Sequence, residues 1–249
     1  MPEQDKSLDI LGIKPVAEAI NTVTKASTDG VGALLSRICL PAAEEMGLLF
    51  KDKVHAWRAK NAISIAATAE QHLSSGTQKT QAHPRIVSAI FDQGSWSDDE
   101  SVQKLWGGLL ASSCTETGTN QDNLIFINLL TQLTPSEVKL IQYACEKSVK
   151  LKSSMGLIFA HDGLNVSANE ALAISGLKDI HRLDLELDHL RDLGLLRLTG
   201  GFSFSPEDSA GNLNDTPASL TPSAKALQFY ARCNGFNGPA TDFYGLNDT

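Results

Sequence analysis

The sequence is short of positive charge: 21 Lys and Arg stand against 29 Asp and Glu, a net charge of −8. A protein held mainly by nucleic-acid phosphates carries a basic excess or a basic face, so this balance argues against nonspecific nucleic-acid binding. Cysteine is sparse. Cys39, Cys114, Cys145 and Cys233 lie far apart and form no CxxC or other metal-type pair, which reads as reduced thiols in a cytoplasm. The opening MPEQDKSLDILG has no basic stretch followed by an apolar one, so no secretory signal is expected. No run of about 18 uncharged apolar residues is present, so no membrane-spanning helix is expected. Catalytic motifs are missing too. There is no HExxH, no His pair at i, i+4, no phosphate loop and no dinucleotide fingerprint. Ser175-Gly-Leu-Lys178 fits SxxK formally, but the partner motifs of that chemistry are absent.

What is present is a core-forming composition. Hydrophobic residues make up 42% and charged residues 20% of 249 residues, enough for two small domains or one large one. Residues 1–13 read as a lead, and 14–27 as a helix with Pro15 in its first turn. Residues 29–50, rich in Gly, Ala and Leu, read as two short helices broken at Pro41 or as a membrane-active hairpin. From about Asp52 to Ser74 the small residues Ala59, Ala62, Ala66 and Ala69, with Leu73, recur at spacings of three and four. That is one face of a long helix, which another helix can approach closely. Val54, Trp57 and Ile65 widen its expected buried stripe. A polar linker over 75–83 precedes a short helix from Pro84 to Gly94. The next helix is the clearest. Ser97-Asp98-Asp99-Glu100 supply a cap and first-turn negative charge, and Val102, Leu105, Trp106, Leu109, Leu110 and Ser113 make the apolar stripe. A short helix over 122–133 follows, and Thr134-Pro135-Ser136-Glu137 starts another.

The second half changes texture. After a connection containing Gly156 and Gly163, helices are expected near 167–174 and 177–193, with Gly194 closing the latter. Strand residues flank Gly200-Gly201, a hairpin signal, and PASLTP reads as a returning third strand before a helix over 222–233. Helix, helix, helix and then a short ribbon is the order of a winged helix. The fold expected is therefore mainly α: a helical bundle over 1–133, a winged-helix-like α+β domain with a short β-hairpin over 134–233, and a mobile tail over 234–249.

Candidate chemistry is thin. Asp98-Asp99-Glu100 diverge by about 100° per residue on a helix, so an N-cap role outweighs a metal or acid/base role. His181 and His189 share a face with Asp184, Glu186 and Asp188 nearby; this reads as a solvated helix face before a metal site. The best interaction feature is basic. Residues 51–83 hold Lys51, Lys53, Arg58, Lys60 and Lys79 against Asp52 and Glu70, the only net-positive segment. Lys51, Lys53, Trp57, Arg58 and Lys60 are the candidate partner- or surface-binding residues, toward a protein, an anionic lipid surface or a nucleic acid. Arg58 and Lys60 have Glu44, Glu45 or Asp52 as alternative ion-pair partners. In the expected third helix of the winged domain, Lys178, Arg182 and Arg191 are outnumbered by Asp179, Asp184, Glu186, Asp188 and Asp192. Phosphate contacts there would be opposed, which favours a protein-binding winged helix over a DNA reader.

Four stretches carry a family resemblance: Gly47 to Asn61 (GLLFKDKVHAWRAKN), the run SDDESVQKLWGGLLAS over 97–112, Phe126 to Leu133, and the helix start LTPSE over 133–137. In this order, over roughly residues 40–140, the chain resembles the Abi-alpha (abortive infection alpha) proteins of bacteria. Position 107 is Gly where that resemblance expects Ala. The resemblance implies a role in antiphage defence and no known reaction, so it carries no catalytic residues. The expectation is a non-enzymatic, cytoplasmic defence protein without metal or cofactor, acting through a protein partner or a second copy of itself. The alternatives are a membrane-acting effector using residues 29–60, peripheral to the membrane, a winged-helix transcription regulator, and an enzyme whose site is assembled from scattered side chains.

Overall fold

Short helix-capping motifs recur along the chain and set its elements. The computed structural model describes residues 55–73, 80–202 and 216–246. These are mainly helical, with a few short antiparallel strands. The regions 14–27 and 29–50, and with them Lys51, Lys53 and Val54, lie outside the described residues. The chain divides into two units: Met1–Thr131 with Arg232–Asn237, and Gln132–Ala231 with Gly238–Thr249.

In the first unit, helix α1 (His55–Leu73) packs against α3 (Glu100–Ser112), with α2 (Pro84–Gly94) and α4 (Leu124–Leu130) beside α3. Ala59, Ala62, Ile65, Ala66 and Ala69 of α1 are buried, as the small-residue face requires. Helix α3 is buried over most of its circumference, from Val102 through Ser112 apart from Lys104. Its start is fixed by Asp99, whose carboxylate accepts from the N–H groups of Ser101 (2.9 Å) and Val102 (3.2 Å). Two glycines let α3 approach its neighbours. A Cβ at Gly107 would lie 2.4 Å from the Cβ of Thr68 and 2.8 Å from the carbonyl oxygen of Ile65. A Cβ at Gly108 would lie 1.8 Å from the carbonyl oxygen of Cys233. The Ala expected at 107 is thus excluded by the contact with α1. The returning segment is also tight at Gly235, where a Cβ would meet the His72 ring at 2.7 Å.

In the second unit, α5 (Pro135–Lys147) begins with a full capping box: Thr134 Oγ1 accepts from the Glu137 N–H, and Glu137 accepts from the Thr134 N–H. Strands β1 (Lys150–Lys152) and β2 (Ile158–Ala160) then form an antiparallel hairpin, with Leu151 opposite Phe159. Strand β3 (Asn165–Ser167) leads into α6 (Ala168–Ser175), which has a second capping box from Ser167 and Glu170. Helix α7 (Ile180–Asp192) follows, capped by Asp179. Strands β4 (Gly201–Phe202) and β5 (Pro217–Ser219) complete a three-stranded antiparallel sheet in the order β3-β5-β4. Helix α8 (Ala224–Cys233) and the single turn α9 (Ala240–Phe243) close the chain.

Three expectations are corrected here. The segment after α5 is not a plain connection, because it holds the hairpin β1–β2 and the strand β3. Gly200-Gly201 does not join two strands. Strand β4 begins at Gly201 and pairs with β5, beyond the segment 203–215 that lies outside the described residues. Residues 234–246 are not a loose tail. Thr241 is buried, Tyr244 donates to the Leu227 carbonyl at 3.2 Å, and its ring lies 4.9 Å from that of Phe243.

Candidate functional site

The block that begins α1 does two jobs, split by side chain. Arg58 and Asn61 are three residues apart on one helix face and both reach the end of α2. Arg58 donates from Nε to Ser95 Oγ (2.9 Å) and from Nη2 to the Asp92 carbonyl (3.2 Å). Asn61 donates to the Ser95 carbonyl (3.0 Å) and accepts from Gln103 Nε2 (3.1 Å), which also donates to the Ser97 carbonyl (2.9 Å). Helix C-termini leave carbonyls without partners in the helix. These side chains satisfy the carbonyls of Asp92, Ser95 and Ser97 and hold the turn into α3. Asn61 and Gln103 are buried, so the contacts are made where water competes least.

The outer side of the same block is aromatic. Trp57 is 38% exposed and is not part of the buried stripe of α1. Its ring leans on that of Trp96, 6.2 Å away at 55°. Trp96 is itself 56% exposed and carries the Arg58 guanidinium 4.4 Å over its ring centre. Lys60 lies exposed on the same helix. Of the five candidate residues, Trp57, Arg58 and Lys60 are therefore placed, with Arg58 bonded to α2 rather than free in solvent. Trp96 was missed by sequence reasoning. Its one signal was position: a tryptophan in the polar turn between Gly94 and the capped start of α3, where no buried stripe needs it.

A second cluster joins α5 to α7. Arg182 donates to Glu186 Oε1 from Nε (2.8 Å) and Nη2 (2.5 Å). Glu186 Oε2 accepts from Thr134 Oγ1 (2.6 Å), and His189 Nδ1 lies 2.6 Å from Glu137 Oε1. Glu137 and Glu186 are buried. Burial pushes the Glu137 carboxyl above its ordinary value and the Glu186 charge adds to this, while the bonds from Thr134 and His189 oppose it. On the α7 face read from sequence as solvated, Glu186 and His189 thus bond to α5, while His181 stays exposed. The Thr134 hydroxyl accepts from the Glu137 N–H and donates to Glu186. Arg191 is also engaged, with Asp188 (2.6 Å) and the Gly200 carbonyl (3.1 Å).

The remaining sequence candidates resolve into local roles. Asp99 is a cap and Glu100 pairs with Lys104 at 2.7 Å. Ser175 donates back to the Leu172 carbonyl at 3.0 Å and accepts from the Leu177 N–H at 3.3 Å, a local helix-end role. Cys114, Cys145 and Cys233 are buried thiols in no disulfide, and burial pushes the Cys145 thiol up to about 12. Among the described residues, no group of three His, Cys, Asp or Glu side chains is placed to hold a metal ion, and no helix is long and apolar enough to cross a membrane.

No curated protein and no solved structure matches the chain. A family model described as abortive infection alpha does match, over residues 58–228. The match begins at Arg58, inside the block that clamps the turn after α2, and runs past Leu227 in α8. It leaves out residues 40–57 of the sequence resemblance, Trp57 among them, but runs well beyond the far end of that span at 140, and it takes in Trp96, the α5–α7 seam and the three-stranded sheet. Covering more than half of the 249 residues, it shows that this chain belongs to the abortive infection alpha family.

Proposed function

We propose that the chain serves abortive infection as a binding protein, not an enzyme, and that the Trp57–Trp96 surface is where it meets a protein partner. The observation that carries this is the pair itself. Two large rings stand exposed at 6.2 Å, backed by an arginine bonded to the scaffold beneath. Trp and Arg are the residue types that concentrate binding energy in protein interfaces. A rigid exposed aromatic loses little side-chain freedom when it is covered. We place this activity in the cytoplasm, where the thiols stay reduced.

The winged-helix reading of residues 134–233 belongs to the same proposal. It is supported by the order α5, β3, α6, α7, β4, β5 and by the sheet order β3-β5-β4. In that reading α7 would be the recognition helix of a DNA reader. Arg182 and Arg191 there are tied to carboxylates of the same helix, which supports a protein-facing role over a transcription regulator.

The test is plaque protection in a native host. The double variant Trp57→Ala/Trp96→Ala should accumulate to the wild-type level, melt at the wild-type temperature and lose protection. Full protection by that variant overturns the assignment of the surface. Binding of the wild type to duplex DNA with a steep salt dependence would restore the regulator reading.

A further inference from the structure

Two acids meet one permanent cation where α7 lies on α5. The side chains of Glu137 and Glu186 are 1% and 3% exposed. Thr134 links them: its N–H donates to Glu137 Oε2 (2.7 Å) and its hydroxyl to Glu186 Oε2 (2.6 Å). Among the described residues, Arg182 and His189 are the basic groups that pair with either acid. Arg182 is always charged, and it is spent on Glu186. With both carboxyls ionised, one buried negative charge is therefore left over, and a buried unmatched charge is costly.

The other ionisable groups around the seam do not supply the missing charge. On α5, Lys139 is exposed near Gly176. On α6, Glu170 serves its own capping box, and Lys178 beyond it is exposed. On α7, Asp179 caps the helix, Asp188 pairs with Arg191, Asp184 lies on another side from Glu186, and Asp192 is exposed. Strand β4 carries no ionisable side chain. Lys225 of α8 donates to the Leu193 carbonyl (2.7 Å), beyond the last residue of α7.

One proton between Glu137 Oε1 and His189 Nδ1, 2.6 Å apart, removes the surplus charge. Such a proton belongs to the pair and not to either residue. The His189 side chain is 40% exposed, so the imidazole gives the proton a way to water that the buried carboxyl lacks. Burial raises the Glu137 carboxyl above its ordinary 4.5, the direction that keeps the proton in place.

We propose that the α5–α7 seam is a proton-operated latch: with the proton in place the end of α7 is seated on α5, and its loss lets that end lift. Glu137 is fixed by its own capping box, so α7 is the side that gives way, next to Gly194, whose φ is +66°. The latch is closed at low pH and opens as pH rises through the raised value of the pair. It is independent of the Trp57–Trp96 surface, which lies in the other unit.

The test is amide hydrogen exchange of the full chain from about pH 5 to about pH 9, corrected for the intrinsic rate. Past the midpoint, protection of the amides from Leu187 to Leu193 should fall about tenfold per pH unit, the slope of one released proton. Amides of α3 should hold. The His189 ring, followed by NMR, should titrate with the same midpoint, a reading that needs no variant. Glu137→Gln keeps an acceptor for the Thr134 N–H and a donor for His189 but has no proton to lose, so its α7 should stay protected at every pH. Flat protection of α7 in the wild type overturns the proposal, as does the same slope in Glu137→Gln. So does a fall shared equally by α5, α6 and α7, or a His189 midpoint apart from that of α7.

Discussion

His189 Nδ1 lies 2.6 Å from Glu137 Oε1, joining the last turn of α7 to the first turn of α5 across 52 residues of sequence. Glu137 is at the same time the return half of the capping box that starts α5. One carboxylate thus serves a local motif with one oxygen and a tertiary contact with the other. His189→Ala should therefore leave a buried carboxyl oxygen without its partner and destabilise the protein by about 1–3 kcal/mol, read from urea unfolding. Arg182→Ala, which removes a partner from Glu186, should act in the same direction.

The same carboxyl gives a pH dependence of definite sign. Its folded value is raised above the ordinary 4.5, so the folded state holds a proton that the unfolded state has released. Stability from this group is present below 4.5 and is lost as pH rises through the raised value. The stability difference between wild type and Glu137→Gln should accordingly fall with rising pH in that window. Unfolding midpoints measured from pH 4 upward check this, and a difference that grows with pH would contradict it.

Gly107 and Gly108 supply a prediction that opposes intrinsic propensity. Alanine is favoured over glycine inside a helix by about 1 kcal/mol. At both positions the added methyl has no room, and at Gly108 it meets backbone, which cannot swing aside. Gly107→Ala should cost about 1–3 kcal/mol and Gly108→Ala at least as much, as shown by lowered thermal midpoints.

The clamp and the aromatic pair should separate cleanly by mutation. Asn61→Ala leaves the Ser95 carbonyl and the Gln103 amide short of a partner in the core and should cost about 1–3 kcal/mol. Trp96→Ala removes an exposed ring and should stay within about 1 kcal/mol of wild type. Chemical denaturation of the two variants side by side measures this.

The buried cysteines should be silent. Cys114, Cys145 and Cys233 should react with a thiol reagent only after denaturation, because a buried thiol gives up its proton reluctantly. Rapid labelling of Cys145 in the native protein would contradict the packing of α5.

Which parts of this fold were legible follows from how far each signal reaches along the chain. The starts of α3 and α5 were readable because a cap acts within three residues. The alanine face of α1 was readable because its period repeats over several turns. Trp96 was not, since its meaning depends on Trp57 and Arg58, which lie far off in sequence and near in space. The hairpin β1–β2 was hidden for another reason. Its strands are three residues long, and its outward residues are apolar, so alternation read as apolar-inward gives the wrong face. The pair β4–β5 was half legible: Gly201 marked a strand start, but its partner follows after a long polar stretch.

The contact of Gly108 with Cys233 bears on the order in which the molecule can come together. Residues 232–237 belong with the first unit, although they are made only after the whole stretch from Gln132 to Ala231. On a ribosome adding 5–20 residues per second, that stretch alone takes roughly 5–20 s. During this time α1 to α4 can collapse but cannot close over α3 at Gly108. The first unit, begun first, is therefore finished nearly last. A stop codon before Arg232 would deny it a wall of its core, and a partner that seized the nascent segment would act before the fold is sealed.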